Sequence, residues 1–235
     1  MNWSFRHQKS LGPARPSPTV STPSIFRLSI LAILLSSCRG NIEPASESAA
    51  ACWVLSKGGK VTIRKNGKTQ TVSDLEDLPF DGFAVLGIDL SLSPGFHGEE
   101  LCEIYGLKRL RTLNLKKSKI SDADLDILKD FGCLESLNLA KTDVSDIGLV
   151  AIGRCPLLKI LTLSETEVTG SGFGSLSTLN HLQELDLTST PLAQANLQPL
   201  VACYNLNRLV LANSGAASEQ VKALKKNLTF CEIID

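Results

Sequence analysis

Leucine recurs in this chain at a constant step of 24 residues. Leu113, Leu137, Leu161, Leu185 and Leu209 keep that step. So do Leu115, Leu139, Leu163, Leu187 and Leu211, and so do Leu110, Leu134, Leu158, Leu182 and Leu206. One such unit is too small to hide its leucines, but copies stacked on one another share them. A period in the twenties with the pattern L-x-x-L-x-L therefore predicts a solenoid of short strand plus helix. Within L-x-L, alternation sends the leucines inward and the residues between them outward.

Each strand is followed by a turn hydroxyl, Ser118, Thr142, Thr166, Thr190 and Ser214. These are expected to form a ladder bonding the backbone of adjacent turns. Next come Ile120, Val144, Val168 and Leu192, weakening to Ala216, and then the helix starts Ser121-Asp122, Ser145-Asp146 and Thr169-Gly170. Ser, Thr and Asp suit such starts because their oxygens accept from the free amides of the first turn. Asp122, Asp124 and Asp126 are read as ordinary capping and solvent-facing charges. Helix core positions are Leu125, Leu149, Phe173, Leu197 and Val221, each with an apolar partner three residues later. Phe230 and Ile233 hold the phase of Leu206 and Leu209, so one last strand is expected. Before the regular repeats, Val85, Ile88 and Leu90 begin an imperfect one.

Read from Leu134 to Leu149, the run L-x-x-L-x-L-x-x-T-x-V-S-D-x-G-L resembles the leucine-rich repeat family, over residues 85–235. Cys155 and Cys203 resemble those of its cysteine-containing subtype, and the turn position carries Ser or Thr where the commonest form has Asn. The resemblance implies an α/β fold, a right-handed horseshoe with a parallel sheet on the concave face and helices on the convex face. It implies a binding scaffold with no activity of its own.

The outward strand residues are Thr112, Asn114, Ser136, Asn138, Ile160, Thr162, Glu184, Asp186, Arg208 and Val210, with Arg111 and Lys116 beside the first of them. Cations gather at the first repeat and acids further on. This band is the candidate surface for a protein partner or a glycan. A solvated sheet face with unselected charges is the alternative, since the band lacks the aromatic anchors enriched in hot spots.

Residues 51–84 lack the repeat and are expected to cap the solenoid. Val61–Lys65 and Lys68–Val72 flank Asn66-Gly67, a two-residue hairpin turn. Trp53, Val54, Leu55, Val61 and Ile63 supply the cap core, and Ser73–Glu76 has capping-box form ahead of Pro79. Residues 38–50 are expected to be a flexible tether. Residues 1–37 combine a basic leader, an apolar run of about ten residues after Arg27 and small residues, which reads as a secretory signal; the run falls short of the roughly 20 residues that span a bilayer. Leu35-Ser36-Ser37-Cys38 resembles the bacterial lipoprotein box, which implies lipidation of Cys38 and a periplasm-facing, envelope-anchored domain. Ordinary secretion and an uncleaved anchor are the alternatives.

The chain is formally neutral, but residues 1–38 hold Arg6, Lys9, Arg15 and Arg27 and no acid, so the remainder is acidic. That argues against nucleic acid, which needs a basic face. The seven cysteines include no C-x-x-C pair, so neither a zinc site nor a disulfide framework is expected. Cys155 and Cys203 lie two repeats apart, roughly 10 Å at the strand spacing, too far to pair. His181 is expected to be half-buried at a strand start. No catalytic set, cofactor or metal motif stands out, and a monomeric, non-enzymatic scaffold is the expectation. A substrate-recognition adaptor resembling the receptors of ubiquitin ligases is the second reading.

Overall fold

The computed structural model describes residues 45–91, 93 and 95–235. The leader and Cys38 lie outside them. Among the described residues the sheet has nine strands, in the order β2-β1-β3-β4-β5-β6-β7-β8-β9. β1 (Lys60–Lys65) and β2 (Lys68–Val72) form the antiparallel hairpin, and β1 also pairs antiparallel with β3 (Ala84–Asp89). From β3 onward the pairing is parallel, through β4 (Thr112–Asn114), β5 (Ser136–Asn138), β6 (Ile160–Thr162), β7 (Glu184–Asp186), β8 (Arg208–Val210) and β9 (Glu232–Ile234). Leu113 pairs with Leu137, Leu137 with Leu161, and so on to Ile233. The 24-residue period is thus a stack in register. The architecture is that of a leucine-rich repeat solenoid, with one continuous apolar core from Ala50 in the cap to Leu228.

The hairpin turn forms as its sequence requires, with φ of 51° at Asn66 and 76° at Gly67. The cap core residues Trp53, Val54, Leu55, Val61 and Ile63 are all buried. Residues 47–50 of the expected tether are helical, the start of α1 (Glu47–Ser56), and residues 38–44 of it lie outside the described residues. Ser46 caps it by accepting from the Ala49 amide at 3.1 Å, and Ala50 and Ala51 pack into the core. The helix start falls one residue later than expected, with Asp74 as its N-cap. Ser73 Oγ bonds Asp74, and only one 3-10 turn, Leu75–Asp77, follows before Pro79.

The convex side is mostly 3-10 helix. Gly98–Ile104, Asp122–Asp130, Phe173–Thr178 and Gln198–Ala202 are 3-10, while α2 (Gly148–Ile152) and α3 (Ser218–Asn227) are α-helical. Apolar pairs such as Leu125 and Leu128 are three apart, the spacing that eclipses in a 3-10 helix. The turn hydroxyls also differ from expectation. Ser118, Thr142, Thr166 and Thr190 each donate to the carbonyl three residues earlier, in their own turn rather than the next. Each stands just after a left-handed residue, Lys117, Lys141, Glu165 and Ser189, at φ between 55° and 63°. The hydroxyl therefore closes a tight turn that the backbone alone closes at a cost. Adjacent turns are joined by backbone bonds, such as Lys117 N to Ala140 O at 2.8 Å.

Aspartates also bridge neighbouring repeats. Asp122 accepts from the Ser145 amide (2.8 Å), the Ser145 hydroxyl (2.6 Å) and the Gly148 amide (2.9 Å). Asp146 does the same one repeat on, for the Thr169 amide and hydroxyl and the Gly170 and Gly172 amides. Asp122 is therefore a connector between repeats. Asp124 caps its own turn through the Ser121 amide, and Asp126 pairs with Lys129 at 2.6 Å on the surface. Cys155 and Cys203 are buried and unpaired, and each thiol donates to a carbonyl of the preceding repeat, Leu128 or Leu176. Burial pushes these thiols up to about 12 and about 11. At the far end Ile233 keeps the phase of Leu209, but Phe230 is 96% exposed. Cys231 bonds the Leu228 carbonyl as Leu206 bonds that of Cys203, so the approach to the last strand is one residue shorter within an unchanged period, and Cys231 takes the place expected of Phe230.

Candidate functional site

The parallel register sorts the outward residues into two rows across the sheet. The first runs Thr71, Thr62, Gly87, Thr112, Ser136, Ile160, Glu184, Arg208, Glu232. The second runs Lys60, Asp89, Asn114, Asn138, Thr162, Asp186, Val210, Ile234. Every expected strand residue of the candidate surface falls in one of these rows, exposed or half-buried. Neighbours within a row are about 4.8 Å apart, the strand spacing.

The second row is fixed by its own backbone. Asn114 Oδ1 accepts from the Lys116 amide at 3.2 Å and Asn138 Oδ1 from the Ala140 amide at 3.0 Å. Asp89 holds Ser91 N at 2.9 Å and Asp186 holds Thr188 N at 2.9 Å in the same way. These are Asx turns, which short polar side chains form readily. With Oδ1 engaged, each asparagine offers its Nδ2 donors to a ligand, while the aspartates keep one acceptor oxygen.

A groove of about 350 Å³ opens where the cap hairpin meets the first repeats, lined by Lys60, Thr62, Thr71, Asp89, Thr112, Asn114, Ser136 and Asn138 among others. Gly87 stands between Thr62 and Thr112 in the first row. A Cβ there would lie 2.3 Å from Thr112 Oγ1, so the close approach of β3 and β4 side chains depends on glycine. Thr62 and Thr71 bond each other through their hydroxyls at 3.1 Å.

Two of the expected residues stand apart. Arg111 lies beside the rows and pairs with Glu135 at 3.1 Å, which also pairs with Lys159 at 2.7 Å. Lys159, bonded to it, and then Arg111 hold the Glu135 carboxyl below its ordinary range. Lys116 is half-buried two residues beyond Asn114 of the second row. His181 is exposed rather than half-buried. The expected surface does not include Lys60, Thr62 and Thr71 of the cap or Asp89 of the imperfect repeat. The signal was available: Lys60 and Thr62 alternate with the buried Val61 and Ile63. Among the described residues no three His, Cys, Asp or Glu side chains converge as a metal site, and no helix is long and apolar enough to cross a membrane.

No protein-family profile and no curated protein matches this sequence. Solved structures do match its fold. Internalin C2 of Listeria monocytogenes is similar over 87% of this chain and 84% of its own, at 18% identity and a TM-score of 0.50. A second Listeria monocytogenes internalin is similar over 89% of this chain at 19% identity and a TM-score of 0.44. A leucine-rich repeat protein of Leptospira interrogans is similar over 57% at 18% identity and a TM-score of 0.44. The chain spans 50% and 45% of the length of those last two.

Proposed function

We propose that this protein is a non-enzymatic scaffold that binds a protein partner on the concave face of its sheet, and that it is held to the cell envelope by a lipid on Cys38. The observation that carries the binding reading is the pair of in-register rows. They offer the Asn114 and Asn138 donors, the Thr62, Thr71, Thr112 and Ser136 hydroxyls and a few charges on a surface whose geometry the core dictates. A site on rigid strands loses little order when it binds.

The envelope reading rests on sequence. The basic leader, the apolar run ending at Leu35 and Leu35-Ser36-Ser37-Cys38 support export and lipidation, with the domain on the periplasmic side. Mass spectrometry of the mature N-terminus tests it: a diacylated Cys38 is expected, and an intact Met1 overturns the anchor and favours a cytosolic adaptor. The binding reading has its own test. Ser136→Arg fills the middle of the groove without touching the core, so partner capture should be lost while the melting temperature holds. Capture unchanged by Ser136→Arg moves the interface off this face.

A further inference from the structure

We infer that the concave face reads the direction and charge spacing of an extended protein segment lying across the strands, with an acidic side chain at the Lys60 end and a basic one at the Glu184 end. This deepens the scaffold reading above and rests on it.

Several charges around the face are already paired. Beside the rows, Glu135 pairs with both Arg111 and Lys159, and Lys141 pairs with Glu165 at 2.8 Å. Within the rows the ends are different. Lys60 is exposed on β1 and, among the described residues, no carboxylate lies within 4.0 Å of its ammonium. Glu184 on β7 likewise has no cation within that distance, and Asp186 beside it bonds Thr188 through Oδ1 alone. Arg208 is drawn to Glu232, at 4.0 Å, on its other side.

Asp89, the ladder partner of Lys60, has its Oδ1 on the Ser91 amide, and from β4 to β6 the rows are neutral. Thr112, Asn114, Ser136, Asn138 and Thr162 are short, so nothing bulky stands in the way of a main chain. The Asn114 and Asn138 donors face outward for its carbonyls, because their own oxygens are tied to Lys116 and Ala140. Ile160, 39% exposed and next to Glu184 in its row, gives the aliphatic stem of a lysine or arginine a place to lie.

Distance then sets the spacing. Five strand intervals separate β1 from β7, roughly 24 Å at the usual interval. An extended chain rising about 3.3 Å per residue covers that in about seven residues. A folded epitope would not need this interval, and a neutral glycan would not feel the two charged ends. A segment of opposite charge polarity would meet like charge at both ends, which costs affinity.

The test is selection of a phage-displayed random dodecapeptide library on the immobilised full chain. Enriched peptides are expected to carry an acid and a base about six to eight residues apart, always in the same order. Lys60→Glu should weaken a selected peptide roughly tenfold, and a peptide whose acid is changed to lysine should recover that loss. Glu184→Lys should do the same at the other end, rescued by an acid in place of the base. Neither side chain packs in the core, so both variants should melt with the parent. The proposal is overturned if no peptide enriches, if no spacing recurs, or if both reversals leave affinity unchanged. If Ser136→Arg still abolishes binding in that last case, the concave-face reading stands and the charge axis alone falls. Binding that survives Ser136→Arg removes both.

Discussion

Asp146 shows how much of this stack rests on single polar atoms. Its carboxylate receives the Thr169 hydroxyl and three amides of the next repeat, Thr169, Gly170 and Gly172. Burial alone would raise its pKa, but bonds from the Thr169 hydroxyl, the Gly172 and Thr169 amides and Ser171 outweigh it. The carboxyl therefore titrates below its ordinary 3.8. Asn keeps one acceptor and turns a donor toward amides that need none, so Asp146→Asn should cost about 1–3 kcal/mol in urea melts at pH 7. The pH dependence has a definite sign. A carboxyl depressed in the folded state contributes stability that is present above the unfolded pKa and lost as pH falls through the folded one. The gap between parent and Asp146→Asn should hold down to about pH 4 and then close. A gap constant to pH 2 would mean that the charge on Asp146 does not hold the repeats together.

At the scale of the strand, the two faces make opposite demands on adjacent residues. Leu161 is fully buried between Leu137 and Leu185, while Ile160 beside it is 39% exposed on the concave side. Leu161→Ala should cost about 2–5 kcal/mol, for lost burial plus the cavity left behind, and Ile160→Ala less than about 1 kcal/mol. Similar losses for the two would contradict the assigned facing. This facing was legible in the sequence because strand side chains alternate and the leucine step fixes the register. The convex side was less so. Leu125 with Leu128, and Phe173 with Leu176, are three apart, which suits an α-helix and a 3-10 helix equally. The hydroxyl period located Thr142 and Thr166 correctly but could not say which carbonyl each would choose, since the same spacing serves a bond within a turn or between turns. The position of Asn114, Asn138 and Asp186 on the face follows from the strand alternation. Their Asx turns went unread, although an Asn or Asp closing each strand was the signal. Lys60 lies in the cap, whose expected task is only to cover the core, and Asp89 closes the strand of the imperfect repeat, ahead of the regular leucine step that marks the outward positions. The sheet runs through the cap without a break, so the cap also extends the surface.

For the whole molecule, the consequence of such a stack is that each repeat answers only to its neighbours. Removing residues 139–162 takes out one period and brings Leu163 directly after Asn138, in the phase of Leu139. The new junction is chemically prepared. Asp122, deprived of Ser145 and Gly148, meets Thr169 and Gly172, which occupy the same places one period later and already bind Asp146 in that way. The shortened chain should therefore fold cooperatively, with a smaller urea slope because less surface is exposed on unfolding. Removing residues 139–158 instead would put Lys159 in the place of Leu139, turn every later leucine off the core and leave no cooperative transition. The first deletion also draws Lys60 and Glu184 closer by one strand interval, about 4.8 Å. If the charge axis governs recognition, peptides selected on that shorter solenoid should carry their acid and base one or two residues closer together. A spacing that did not shorten with the sheet would detach recognition from the strand register altogether.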